Sequence, residues 1–408
     1  MGRILSHSLK GIMKFAKMTW AAVMDNKPLL LILVLVSYTL FSQLETAHTY
    51  GGHMGGNHGH FSTLAKAILS HGIIETKFGQ PMLDQGGNIR EYYINHPPLL
   101  TLYIALSFML LVPLGMSYTA AATLVPTLFS LGSLTILYLI CKRLWGVKVA
   151  FLSTGVMALT PMFRSYSQLV CHEPLCIFII LSAVYFYILW MESKKEGYFK
   201  VVCGLIVVGC FTGWPVYYLI PLMASHYLIF SKKRDVKKIL VLPLIGLVMF
   251  SLFIVHVYIL EGNTSFEKLI KHVKNRTDYN DKTDPWPWRH FKIFVGYMGD
   301  IIKANTPYVF YASGLMFTTV AYKLYRKQSI LNESYVLMLL LLAVIHNLLW
   351  PGGVGFHNYW SYYFTPALAI ASIVGINSVL EGDREYLKFV FWTVVAILWV
   401  NNNNEFIK

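Results

Sequence analysis

A chain of 408 residues that is 56% hydrophobic, only 13% charged and has a mean hydropathy of +0.53 is not a soluble globular domain. Such domains carry about 25% charged residues. The net charge of +14 does not mark a nucleic-acid binder, because most Lys and Arg sit in short clusters between apolar runs, the topology signal of a polytopic α-helical membrane protein. Cys141, Cys171, Cys176, Cys203 and Cys210 fall mostly in or beside apolar runs without a CxxC, and read as packing residues rather than a disulfide or zinc framework.

Residues 1–27 read as a basic cytoplasmic flank (Arg3, Lys10, Lys14, Lys17) with some amphipathic character. No A-x-A-like cleavage site follows, so the first span, 28–44, is expected to be an uncleaved anchor with its N-terminus inside. Further apolar runs lie at 98–115, 118–140, 147–160, 174–190, 200–212, 214–230, 238–259, 307–323, 334–350, 359–379 and 386–400. Counting all twelve as spans puts Lys142-Arg143, Lys194-Lys195-Lys200 and Lys232-Lys233-Arg234-Lys237-Lys238 outside, against the positive-inside rule. Demoting 98–115, which opens on Pro-Pro and contains Pro113 and Gly115, to a juxtamembrane or re-entrant helix repairs all three. The expectation is one domain over 1–408 with eleven spans, N-terminus inside, and three substantial outer segments at 45–117, 161–173 and 260–306.

The first outer segment carries six histidines (His48, His53, His58, His60, His71, His96). Phe61 to Leu69 reads as a short helix ending at Gly72, preceded by Gly55-Gly56-Asn57-His58-Gly59. That glycine run offers free amides at a helix start, an anion site or else a ligand-free loop, with Lys77, Arg90 and His96 adding basic groups. A metal on the histidines is conceivable but not favoured, since no HExxH or Cys/His spacing is present. In 161–173, His172-Glu173 stands directly before a span, where a carboxylate is costly to desolvate. Glu173 reads either as an acceptor's general base or as a helix-dipole partner, and Arg164 either as an anion contact or as a snorkelling side chain. Segment 260–306 clusters Lys268, Lys271, Lys274 and Arg276 before Asp278, Asp281 and Asp284, then Trp286 and Trp288, an interfacial belt or a sugar platform. His357 and Tyr359, in a loop rich in aromatic hydroxyls, could reach a phosphate.

The order of these features resembles the GT-C membrane glycosyltransferases, in particular the protein O-mannosyltransferase and aminoarabinose transferase group. The resemblance covers roughly 28–190 and rests on Tyr92-Tyr93-Ile94-Asn95-His96-Pro97-Pro98-Leu99, Leu144-Trp145-Gly146 and Leu169-Val170-Cys171-His172-Glu173-Pro174. It implies inverting transfer of a sugar from a polyprenyl-phosphate donor at the outer face of a cell membrane, without a cofactor and with a protein, lipid or glycan acceptor. By that resemblance the family's second acid falls on Glu173, and its basic residue before Pro-Pro falls on His96. Its usual first-loop acid falls on Asn57 and His58, a departure that leaves His58 or Glu173 as base with His172 beside it. His60, Lys77, Arg90, Arg164, His357 and Tyr359 complete the expected donor contacts. The alternative is a transporter or flippase, for which His226, His256 and His346 are the few polar candidates within or near spans and no internal repeat is visible.

Overall fold

The computed structural model describes residues 26–49, 53–231, 235–277, 286–350 and 357–390, with Gly353 and Thr393. The expected N-terminal flank, the Lys232–Arg234 cluster, Asp278, Asp281, Asp284, the Trp286 side chain and most of the last expected span lie outside the described residues. The elements run α1 (Lys27–Ser42), α2 (His53–His71), β1 (Pro81–Leu83), β2 (Ile89–Tyr92), α3 (Leu99–Leu111), α4 (Tyr118–Trp145), α5 (Val147–Leu159), α6 (Pro161–Tyr166) and α7 (His172–Ser193). They continue with α8 (Glu196–Cys210), α9 (Pro215–Phe230), α10 (Val236–Glu261), α11 (Thr264–Arg276), α12 (Trp286–Ala304), α13 (Pro307–Tyr325), α14 (Leu331–Leu349) and α15 (Phe364–Glu381).

This is an all-α multi-pass membrane protein. Among the described residues, α4, α7, α10, α14 and the stretch Asn358–Glu381 are long and apolar enough to cross a bilayer, and α1, α3 with its 3-10 extension, α5 and α9 are shorter apolar helices. Buried side chains of α4, α5, α7, α9, α14 and α15 form one core, including Tyr138, Tyr187 and Tyr335. Inside it His226 shares hydrogen bonds with the Tyr187 hydroxyl at 3.0 Å and the Ser334 hydroxyl at 2.7 Å, so this intramembrane imidazole ties three helices together.

The 98–115 segment is a 13-residue helix followed by a 3-10 turn that ends on left-handed Gly115. A helix of that length reaches about 20 Å against about 30 Å of hydrocarbon. The glycine-rich stretch departs from expectation. Helix α2 begins at His53, not near Phe61, so Gly55, Gly56 and Gly59 lie inside it rather than in a loop before it. Each helical glycine costs about 1 kcal/mol relative to alanine. Burial of Met54, Phe61, Leu64 and Ile68 offsets that, at roughly 1.5–3 kcal/mol for each large side chain. Gly55 also lets the Ala47–Thr49 turn approach, since a Cβ there would stand 3.1 Å from the His48 carbonyl oxygen.

Two features have no counterpart in the expected loops. Strands β1 and β2 pair antiparallel, and Asp84 closes their turn by accepting from the amides of Gly86 (2.8 Å) and Asn88 (2.9 Å), with Gly87 at φ +82°. The 260–306 segment is largely helical: α11 and α12 are amphipathic, and Lys268 ties α11 to the hairpin and to α10 through Glu91 and Glu261.

Candidate active site

Helix α7 opens from an extended Cys171, which sets His172 and Glu173 in its first turn, 2% and 4% exposed. Gly213 makes this approach possible, because a Cβ there would meet Cys176 Sγ at 2.9 Å. Glu173 and His172 thus face a cavity of about 680 Å³. Its walls are Trp214, Tyr217 and Tyr218 at the start of α9, Phe250, Phe253 and Ile254 of α10, and the inner face of α11. His346, Trp350, Trp360 and Tyr363 close the far side.

The polar atoms of this chamber are incompletely partnered. Glu173 Oε2, His172 Nε2, His96 Nδ1 and both ring nitrogens of His346 are buried without a hydrogen-bond partner among the described residues. Such atoms are expensive unless a ligand or water meets them. The His96 ring stacks on His172, with 4.3 Å between centroids and 20° between planes. Burial, followed by the neighbouring His172, His272, Arg276 and His346, holds the His96 imidazole well below its usual pKa. Burial and Arg276 push His272 down to about 4, and burial, Arg276, His53 and His272 push His357 down to about 3. These rings are therefore neutral at pH 7, and the cavity's basic side chains are Lys274 and Arg276 of α11. Arg276 lies 5.7 Å from the Trp360 ring and acts electrostatically on His96, Tyr93, His272 and His357, so one cation oversees the whole chamber.

Of the residues anticipated from sequence, Glu173, His172 and His96 line the cavity. His60, Asn57, His357 and Tyr359 form a layer behind it: His60 packs edge-on against Tyr93, Asn57 meets the Tyr359 hydroxyl, and His357 accepts or donates at 2.9 Å to that hydroxyl. His58 turns away to the Thr119 carbonyl at 3.3 Å and the His48 ring. Lys77 donates to the Ile259 carbonyl, Arg90 pairs with Glu91 at 2.6 Å, and Arg164 is exposed on α6; none of the three lines the cavity. Lys274 and Arg276 were visible in sequence only as part of a basic cluster, and His272 was not singled out. The i, i+4 spacing of His272 and Arg276 on an amphipathic helix was the signal that could have selected those two.

Residues 95–259 match the family model described as dolichyl-phosphate-mannose-protein mannosyltransferase. The chain superposes on ArnT of Cupriavidus metallidurans bound to undecaprenyl phosphate, with a TM-score of 0.59, 13% identity, and coverage of 90% of this chain and 63% of that one. It also superposes on the oligosaccharyltransferase AglB of Archaeoglobus fulgidus in complex with an inhibitory peptide and a dolichol-phosphate, with a TM-score of 0.52, 12% identity, and 91% and 54% coverage. The fold is GT-C. No curated protein matches this chain in sequence. It spans less than two thirds of the length of either GT-C structure, and the family match covers the Pro-Pro segment after the hairpin, α3 to α9 and most of α10, which includes Glu173 and His96. No group of three or more His, Cys, Asp or Glu among the described residues is arranged to hold a metal ion.

Proposed function

We propose that this chain is an inverting glycosyltransferase that moves a sugar from a polyprenyl-phosphate donor to a hydroxyl acceptor at the outer face of a cell membrane. The observation that carries the reading is the juxtaposition, in one cavity, of the Glu173 carboxylate, whose Oε2 is unpartnered, and the basic pair Lys274 and Arg276, beneath apolar walls from α10 and α11. Phe266, Ile270 and Val273 of α11 and Phe250 of α10 are each more than two fifths exposed, so a prenyl tail has an apolar path from the bilayer to the site.

Chemically, the acceptor oxygen forms a bond to the anomeric carbon from the face opposite the phosphate. Its proton passes to Glu173, and the C1–O bond breaks with the electron pair leaving on the phosphate. Arg276 and Lys274, with a neutral His96 as a further donor, stabilise the phosphate charge as it develops. The donor set suits an anion better than a hard cation: Glu173 is the cavity's one carboxylate, whereas Ca²⁺ or Mg²⁺ prefers several oxygen ligands. The His96 and His172 rings stack face to face, 4.3 Å apart. Chelation is accordingly expected to leave turnover within about twofold of the untreated rate; loss of activity restored by one divalent ion would assign that ion a place in the site. Eleven spans with a cytoplasmic N-terminus complete the reading, because that count keeps Lys142-Arg143 and the α8-flanking lysines inside. The test is release of polyprenyl phosphate from a labelled donor by wild type and not by Glu173→Gln.

A further inference from the structure

The segment that delivers His96 is unusual in having little means of holding itself. Between Tyr93 and Thr101 it reads Ile94-Asn95-His96-Pro97-Pro98-Leu99-Leu100, and its two prolines have no N–H to give. Its carbonyls must be met from outside. Asn95 O accepts from the Trp214 indole at 3.0 Å, and Leu99 N donates to Phe211 O at 3.4 Å. His172 hydrogen-bonds the Pro97 backbone, and a further hold comes from the side chain of Gln80, which precedes β1 and is 1% exposed.

Both donor positions of the Gln80 amide are committed: Nε2 gives to the Tyr93 carbonyl at 3.2 Å and to the His96 carbonyl at 2.8 Å. Its Oε1 accepts from the Thr101 hydroxyl, itself fully buried in the first turn of α3. The amide has only one orientation that satisfies two carbonyls on one side and a hydroxyl on the other. Gln80 also accepts the Tyr93 N–H through its backbone at 2.8 Å, so hairpin, Pro-Pro segment and α3 meet on it. It does not line the cavity.

We propose that Gln80 is the positioning residue that fixes the His96 imidazole against His172 and beside Glu173. The proposal rests on the glycosyltransferase reading for its kinetic consequence, while its structural half stands apart from turnover. Leucine at position 80 keeps the volume but leaves two buried carbonyls unmet, and the segment relaxes toward other partners. A misplacement of about 1 Å in such a site costs roughly 100-fold in rate.

The test uses the full chain in detergent and two readouts. The first is a double-mutant cycle on transfer from a labelled polyprenyl-phosphate sugar. If Gln80 acts through His96, Gln80→Leu loses activity chiefly in kcat, and Gln80→Leu combined with His96→Ala is no worse than His96→Ala alone; losses that add overturn the proposal. The second is carbethoxylation of His96 by diethylpyrocarbonate, read by mass spectrometry. In the wild type His96 Nδ1 is buried, and Gln80→Leu should label about tenfold faster at unchanged elution volume as the buried polar clamp opens locally. Labelling of His96 at the wild-type rate contradicts the clamp. Where Gln80→Leu does not fold, Thr101→Val, which keeps the glutamine but removes the donor to its Oε1, takes its place in both readouts. An inactive wild type refutes the transferase reading and leaves the labelling result to decide on Gln80.

Discussion

At the scale of single residues, the proposed reaction divides its chemistry between Glu173 and Arg276. Replacing Glu173 with glutamine keeps the shape and burial of the side chain but removes the proton acceptor, so transfer should fall by about 10²–10⁴-fold while membrane insertion and elution profile stay normal. Turnover unchanged in that variant removes Glu173 from the role of base. Arg276→Ala takes away the charge that faces the developing phosphate and should cost on the order of 100-fold in kcat/KM, with Arg276→Lys recovering part of it; equal effects of Ala and Lys would point to packing on Trp360 instead. The buried imidazoles bear on pH. His272 and His357 are held neutral in the fold, with pKa values near 4 and 3, while an unfolded chain takes up protons near 6.5. Between those limits the unfolded state binds more protons, so their contribution to stability is full above pH 6.5 and is lost progressively as pH falls toward 4. Thermal unfolding across that window should show a falling midpoint, and His272→Gln should flatten part of the slope.

At the scale of elements, the sequence was informative where a strong local signal met a strong physical constraint. The Pro-Pro start and Gly115 stop of α3 and the Gly72 end of α2 were legible, because prolines and left-handed glycines leave few alternatives, whereas α7 begins at His172, two residues before the expected start at Pro174. The start of α2 was not legible, since Gly55-Gly56 reads locally as loop and only tertiary burial of Met54 and Phe61 makes it helix. The α11 site residues were hidden for a related reason. A run of Lys and Arg looks like a solvated face until the partner helices show that Phe266, Ile270 and Val273 roof a cavity and that Arg276 turns inward over Trp360. His58 failed in the opposite sense: residue type and family position favoured it, but its place on α2 aims it at Thr119. The short α3 carries a topological prediction. A reporter fused after Gly146 should read cytoplasmic; an external reading would make α3 a true span and separate the histidine-rich segment from Glu173 across the bilayer.

At the scale of the whole molecule, a GT-C fold brings the Asn95–His96 segment, the start of α7 and parts of α9, α10, α11 and α14 around one chamber. The chain spans 63% of ArnT and about half of AglB, and it still places a carboxylate, a cationic pair and an apolar path within that chamber. The central claim is that the cavity breaks a bond between a sugar and a lipid phosphate. Proteoliposomes containing the purified chain, supplied with a panel of polyprenyl-phosphate sugars labelled in the sugar, test it directly. The account predicts that wild type consumes one of these donors, releasing polyprenyl phosphate and an inverted glycoside, and that Glu173→Gln consumes none. Donors that cross the bilayer intact, with no sugar released by wild type, would contradict it and favour a flippase.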